Sequence, residues 1–242
     1  MRYVVTGGAG FIGSNLVDRL IDDGHEVIVF DNFLTGDVTN DKAQYYDVDI
    51  SNADFADDDN IIEILNGVDV VFHLAAFARV EPSIEEPVDS HYTNVNGTLL
   101  MLELAKKIKA KRFIFTSSSA VYGEVETPTT EGHPINPMSP YALHKLMGEQ
   151  YCKLYSELYD LETVCLRYSN VYGEGQPTEG AYCNVMGIFE QQKANGEKLT
   201  IVGDGEQRRD FIHIDDVVEA NMKCMNYSFK LNGDVFNIGY GK

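Results

Sequence analysis

Apolar residues recur along this chain in two alternating rhythms. Short β-branched or aromatic runs at 2–6, 26–30, 44–47, 68–74, 112–117 and 163–168 predict strands. The run at 68–74 is almost continuously apolar, as a strand covered on both faces must be. Helical periodicity fills the intervals. Residues 11–22 place Ile12, Leu16, Leu20 and Ile21 on one side. Residues 60–65 predict a short helix, and 91–109 and 140–159 predict two long ones. This alternation predicts an α/β fold, a Rossmann-type doubly wound parallel sheet with helices on both faces. After about residue 170 the rhythm loosens. The pattern there predicts a loop at 172–180, a helix at 183–194 and short strands at 199–202 and 211–214. A helix at 215–227, opened by Asp215 and Asp216, and a last strand at 235–238 follow. Two units result: 1–170, a sheet domain, and 171–242, a smaller lobe interleaved with the last sheet strands.

The first strand and first helix are joined by Thr6-Gly7-Gly8-Ala9-Gly10-Phe11-Ile12-Gly13. Gly7 permits a tight turn, Gly10 lets a pyrophosphate approach the backbone at the helix N-terminus, and Gly13 allows close helix–strand packing. Glycines alone mark only a turn. Here they follow a strand, open a helix and lie 18 residues before Asp31. An acid ending the second strand accepts hydrogen bonds from adenosine ribose hydroxyls and repels a 2′-phosphate, which favours NAD over NADP.

Tyr141 and Lys145 stand four apart in a predicted helix and so share a face. An ammonium near a phenol favours phenolate, so Tyr141 is expected to titrate below its ordinary range and to act as a base. The same spacing arises by chance in many helices. The pair gains weight from Thr116-Ser117-Ser118-Ser119, which end the preceding strand at the edge where open α/β sheets bind ligands.

Composition narrows the field. Nineteen basic against 38 acidic residues give −19, a surface that repels phosphate backbones and argues against nucleic-acid binding. No apolar run reaches the about 18 residues of a membrane span, and the first residues lack a secretory pattern, so a cytoplasmic protein is expected. Cys152, Cys165, Cys183 and Cys224 form no C-x-x-C pair, and the six histidines show no H-E-x-x-H spacing. Neither a disulfide framework nor a metal site is expected.

The chain resembles the extended short-chain dehydrogenase/reductases, and within them the NAD-dependent nucleotide-sugar epimerase/dehydratase group. The resemblance runs through the glycine turn, Asp31-Asn32, His73-Leu74-Ala75-Ala76, Asn94-Val95-Asn96-Gly97-Thr98 and Ser117 to Gly123. It continues through Ser139 to Lys145, Leu166 to Gly173 and Arg209 to Ile214. It implies NAD as cofactor, with Tyr141 as catalytic base, Lys145 on the nicotinamide ribose and Ser118 on the sugar hydroxyl. It places Gly7, Gly10, Phe11, Ile12, Gly13, Asp31 and Asn32 against the cofactor. It puts Asp49 and Ile50 beside the adenine, and Leu74, Ala75 and Ala76 along phosphates and ribose. Asn94, Ser117 and Tyr168 fall on the cofactor side too, while Ala120, Asn170 and Arg209 fall on the sugar-nucleotide side. A guanidinium fork at Arg209 suits a diphosphate.

In the group's dehydratases and decarboxylases a Glu stands two residues before the Tyr of the V-Y-G triplet. Here that place holds Ala120, beside Ser119, which implies 4-epimerisation of a UDP-hexose instead. The stretch from Gly180-Ala181-Tyr182 to Phe189, followed by Gly203-Asp204-Gly205, is similar to 4-epimerases of UDP-hexoses and UDP-N-acetylhexosamines. Ser169 departs from the Phe common in R-Y-F-N. Relatives usually run on past a strand like 235–238, so a C-terminally truncated substrate lobe is expected. A homodimer is implied through helices 91–109 and 140–159, with Leu99, Leu102, Leu146, Met147 and Leu154 as contacts. Two alternatives stay open: a nucleotide-sugar reductase or dehydrogenase with net cofactor turnover, and a non-catalytic NAD-binding fragment.

Overall fold

In the computed structural model, which describes residues 1–125, 128–178 and 183–241, β1 (Arg2–Thr6) is an interior strand of the sheet. Its Tyr3 and Val5 face one way and Val4 the other, all three without solvent exposure. Around it are β2 (Glu26–Asp31), β3 (Gln44–Asp47), β4 (Val70–His73), β5 (Arg112–Ser118), β6 (Glu162–Tyr168) and β9 (Asn232–Ile238). All seven pair in parallel in the order β3-β2-β1-β4-β5-β6-β9. The order reverses between β1 and β4, so a crevice opens beyond Thr6 and His73 at the carboxyl ends of the strands.

The helices divide between two faces. On one, α1 (Phe11–Asp22) and α8 (Ile214–Asn226) cover Tyr3, Val5, Val29, Phe72, Ile114 and Leu166. On the other, α2 (Asp59–Ile64), α5 (Gly97–Lys107) and α6 (Pro140–Leu158) cover Val4, Ile28, Val71, Phe113 and Phe115. Ser139 caps α6, accepting the Ala142 N–H at 3.1 Å, and Pro140 takes its first turn, where no N–H is needed. Gly148 lets α6 lie directly on Phe115: a Cβ there would sit 2.4 Å from the ring. A small second sheet pairs β7 (Asn170–Tyr172) with β8 (Phe211–His213), flanked by α7 (Val185–Ala194).

Four expectations are corrected. The helix expected at 91–109 is three pieces: α4 (Pro87–His91), a π-helical turn (Tyr92–Asn96) and α5. The turn coincides with Asn94, whose amide clips the main chain of Phe77, and local insertions of this kind widen a helix. A short α3 (Val80–Glu85) precedes them. Residues 199–202 form no strand; Leu199, Ile201 and Val202 are exposed, and β-branched residues make a strand only against a paired neighbour. Tyr172, expected in a loop, ends β7. The last strand starts at Asn232, because Asn232 pairs with Thr163 and Asp234 with Val164 of β6, with Gly233 bulged between them. Gly180, Ala181 and Tyr182 lie outside the described residues.

Candidate active site

At the crevice, the glycine turn is shaped by contact. A Cβ on Gly7 would meet the Ala75 nitrogen at 2.7 Å, and one on Gly13 would meet the Gly7 carbonyl at 2.0 Å. At Gly10 the nearest atom is 3.5 Å away, so that side is open. No side chain caps α1, which leaves the N–H groups of its first turn, including Phe11 and Ile12, facing the opening. Asp31 accepts the Ala9 and Phe33 N–H groups, one on each oxygen and each at 2.9 Å. A carboxylate has lone pairs left for two ribose hydroxyls. Asn32 is exposed at the rim. An uncapped helix N-terminus, a glycine floor and an acid at the end of β2 fit a dinucleotide.

A buried polar chain fixes the floor of the crevice. Thr6 Oγ1 accepts the Ala75 N–H at 3.1 Å and donates to His73 Nδ1 at 2.8 Å. His73 Nε2 then donates to Thr98 Oγ1 at 3.0 Å, and Thr98 donates to the Asn94 carbonyl at 2.7 Å. Burial first, and then the Lys145 charge, lower the His73 pKa to about 3, so the imidazole is neutral. Leu74, Ala75 and Ala76 are held half-buried along the opening. Asp49 is exposed and bonds Ser51, while Ile50 is buried against Gly97.

The Ser118 hydroxyl lies beside the Tyr141 phenol and favours its ionised form. The Tyr141 backbone N–H is held by Ser83 Oγ at 3.1 Å, and Ser118 Oγ accepts the Ala120 N–H at 3.2 Å. Lys145 is 3% exposed; its Nζ donates to the Thr116 carbonyl at 2.8 Å and lies 5.1 Å from the Phe115 ring centre. Burial pushes the ammonium down to about 8, against the raising influence of Cys152 and Glu149. Burial also pushes the Tyr141 phenol above its ordinary range; the Ser118 hydroxyl and the Arg79 charge oppose this without overcoming it. The expected lowering is therefore corrected for the chain by itself. Lys145 lies 5.9 Å from the Tyr141 ring centre, with its ammonium turned to Thr116.

The remaining expected site residues make the following contacts. The Ser117 hydroxyl points inward and donates to Glu149. The Tyr168 hydroxyl is taken up by Thr116 and Asn221. The Asn94 amide is spent on Phe77 and Ser90. Asn170 Nδ2 donates to the Asp210 carbonyl at 3.0 Å, and Arg209 is exposed, donating to the Arg208 carbonyl at 2.8 Å. Arg209 lines a cleft of about 460 Å³ with Tyr172, Met186, Phe211, His213 and Tyr240. Sequence reasoning missed Ser83 and Arg79, which precede Tyr141 by about 60 residues and carry no spacing signal. Among the described residues no His, Cys, Asp or Glu cluster could hold a metal ion, and no helix is long and apolar enough to cross a membrane.

The family model of the NAD dependent epimerase/dehydratase family matches residues 3–239. The chain belongs to this family. A putative UDP-glucose 4-epimerase of Methanocaldococcus jannaschii is 44% identical over 99% of the chain and 77% of its own length. A UDP-N-acetyl-alpha-D-glucosaminuronate decarboxylase of Bacillus cytotoxicus is 36% identical over 98% of the chain and 74% of its own. The crystal structure of a UDP-glucose 4-epimerase with UDP-glucose, from Thermotoga maritima, is 40% identical. It superposes with a TM-score of 0.93, over 100% of this chain and 78% of that one. Family membership agrees with the crevice at the carboxyl ends of the strands, where a sheet of this topology binds a dinucleotide.

Proposed function

We propose that this member of the family interconverts UDP-glucose and UDP-galactose by epimerisation at C4. The observation that carries the reading is the grouping of the Tyr141 phenol, the Ser118 hydroxyl and buried Lys145, over a turn that offers Ser119 and Ala120 and no carboxylate. Elimination of water and loss of CO₂ both call for an acid in that turn; oxidation and re-reduction at one carbon do not.

Ser118 orients the C4 hydroxyl, and Tyr141, as phenolate, accepts its proton. Bound NAD would supply the hydride acceptor and donor, with the 4-keto sugar turning over between the two transfers so that the hydride reaches its opposite face, and the oxidised ring would add positive charge beside the phenol. Lys145 holds the nicotinamide ribose and, as an ammonium, favours the phenolate. Gly7, Gly10, Gly13 and the α1 N-terminus bind the diphosphate of the cofactor, and Asp31 its ribose. Arg209 and Asn170 bind the diphosphate of the substrate. Residues 1–170 form the cofactor unit and 171–242 contribute the substrate lobe. Two copies associate through the α4–α5 and α6 faces.

The test is an NMR time course of the chain with NAD and UDP-galactose, following the anomeric proton. Appearance of UDP-glucose is expected, and Tyr141→Phe abolishes it while NAD binding stays within a few-fold. UDP-glucose formation by Tyr141→Phe at the parent rate defeats the mechanism. Sustained absorbance change at 340 nm with a UDP-sugar, in place of epimer formation, would mean net oxidation or reduction. Release of CO₂ from UDP-glucuronic acid would move the chain to the decarboxylases.

A further inference from the structure

Beneath the Ser118–Tyr141–Lys145 cluster lies a buried ion pair that the reaction does not use. Glu149 and Arg167 are 3% and 5% exposed. Arg167 grips the carboxylate with two parallel bonds, Nε to Oε1 at 2.8 Å and Nη2 to Oε2 at 2.6 Å. Ser117 Oγ donates to the same Oε1. The remaining arm of the guanidinium, Nη1, donates to Tyr122 Oη at 2.6 Å, and Tyr122 donates to Asn237 Oδ1 at 2.7 Å. One carboxylate thus ties α6 to β5 and β6, and through Arg167 to the 119–122 turn and β9.

Stability alone does not call for this arrangement, because an apolar pair of the same volume holds two layers together as well. The ion pair adds direction. A bidentate fork is planar and accepts one orientation of its partner. Glu149 follows Lys145 by four residues and Tyr141 by eight, so all three share a helix face. Ser117, which Glu149 holds, immediately precedes Ser118.

We propose that Glu149 is a positioning residue for the Ser118–Tyr141–Lys145 cluster. Its carboxylate fixes the rotation of α6 against the end of β5 and keeps a negative charge one turn from the Lys145 ammonium. This rests on the reading of Tyr141 and Lys145 as the reacting pair. The groups facing Lys145 are Tyr141, Glu149 and Cys152 on its own helix, and His73 on β4. The Thr116 carbonyl and the Phe115 ring on β5 complete its surroundings, and Arg167 on β6 faces it from across Glu149. Among these, Glu149 supplies the carboxylate, and its charge favours the ammonium.

The test follows the Lys145 side chain by NMR in chain carrying ¹³C-labelled lysine, with the signal assigned by its loss in Lys145→Arg. In the parent the midpoint is expected near pH 8. Glu149→Gln is expected to move it to lower pH, and Glu149→Asp, which keeps the charge, to hold it near the parent value. Glu149→Gln also lowers kcat at least about tenfold with KM nearly unchanged, the mark of lost positioning rather than lost binding. Because Glu149→Gln leaves a buried guanidinium unpaired, Glu149→Gln/Arg167→Met serves if the single variant does not fold; loss of the cation offsets loss of the carboxylate at Lys145, so kcat is read in the double variant, and it also falls. A folded variant with the parent midpoint and parent kcat overturns the proposal. The midpoint is read without substrate, so an unchanged midpoint in folded Glu149→Gln overturns the charge part of the proposal even if the chain proves to act on a different sugar.

Discussion

At the scale of single residues, Lys145 shows most clearly what the site costs the fold. Its ammonium is buried and its pKa is pushed down to about 8, against about 10.4 in an unfolded chain. Between those values the unfolded state binds the extra proton, so stability rises with pH across that window, and below about 8 the full cost is present. Each pKa unit is worth about 1.4 kcal/mol. Lys145→Met is therefore expected to stabilise the cofactor-free chain at pH 7 by roughly 2–3 kcal/mol. Urea titrations of the two proteins should converge as pH rises from about 8 towards 10.4; a constant gap would mean that lost charge burial is not the cause. Turnover, which needs the ammonium, should decline above about pH 8. A pH–rate profile flat to pH 10 would show that Lys145 keeps its proton once the site is filled.

At the scale of elements, the contact between α6 and β5 sets the distance between Tyr141 and Ser118. Gly148 makes the contact possible, because its missing Cβ leaves room for Phe115. Gly148→Ala is expected to destabilise the chain by about 1–3 kcal/mol by overpacking and to lower kcat by lifting Tyr141 and Lys145 off the strand ends. Adding Phe115→Leu should restore part of the stability. Thermal unfolding of the single and double variants checks this, and an additive double variant would place the strain elsewhere. Helix α6 was legible in the sequence because Ser139 and Pro140 mark its start and Tyr141 and Lys145 its face. The break in the helix expected at 91–109 was not, because it goes with Asn94 meeting Phe77, 17 residues away.

At the scale of the whole molecule, the exposed apolar residues on α4 to α6 bear on assembly. Leu102 is fully buried against the sheet and is not available as a contact, which corrects that expectation. Leu99, Leu146 and Met147 are half-buried, whereas Leu154 is 44% exposed, along with Val88, Tyr92, Leu143 and Leu158. A homodimer over this face predicts that Leu154→Glu halves the mass seen by analytical ultracentrifugation with secondary structure intact. A monomeric parent chain would sink the dimer. The charge of −19 is also a whole-molecule property, and it makes the buried or cleft-lining cations Lys145, Arg167 and Arg209 local exceptions on an acidic background.

The sequence by itself determined the parallel α/β sheet, because the alternation of strand and helix periods leaves few other ways to bury both faces. It also determined the glycine turn, Asp31 and the Tyr141–Lys145 face, since each is a local spacing with a local physical meaning. Tertiary structure decided what neighbours far along the chain do to those residues. It turned the Ser117 hydroxyl to Glu149 and the Tyr168 hydroxyl to Asn221, and it left residues 199–202 without a strand to pair with. It also raised the Tyr141 phenol instead of lowering it. Burial and long-range partners govern all of these, and neither is written in the spacing of residues along the chain.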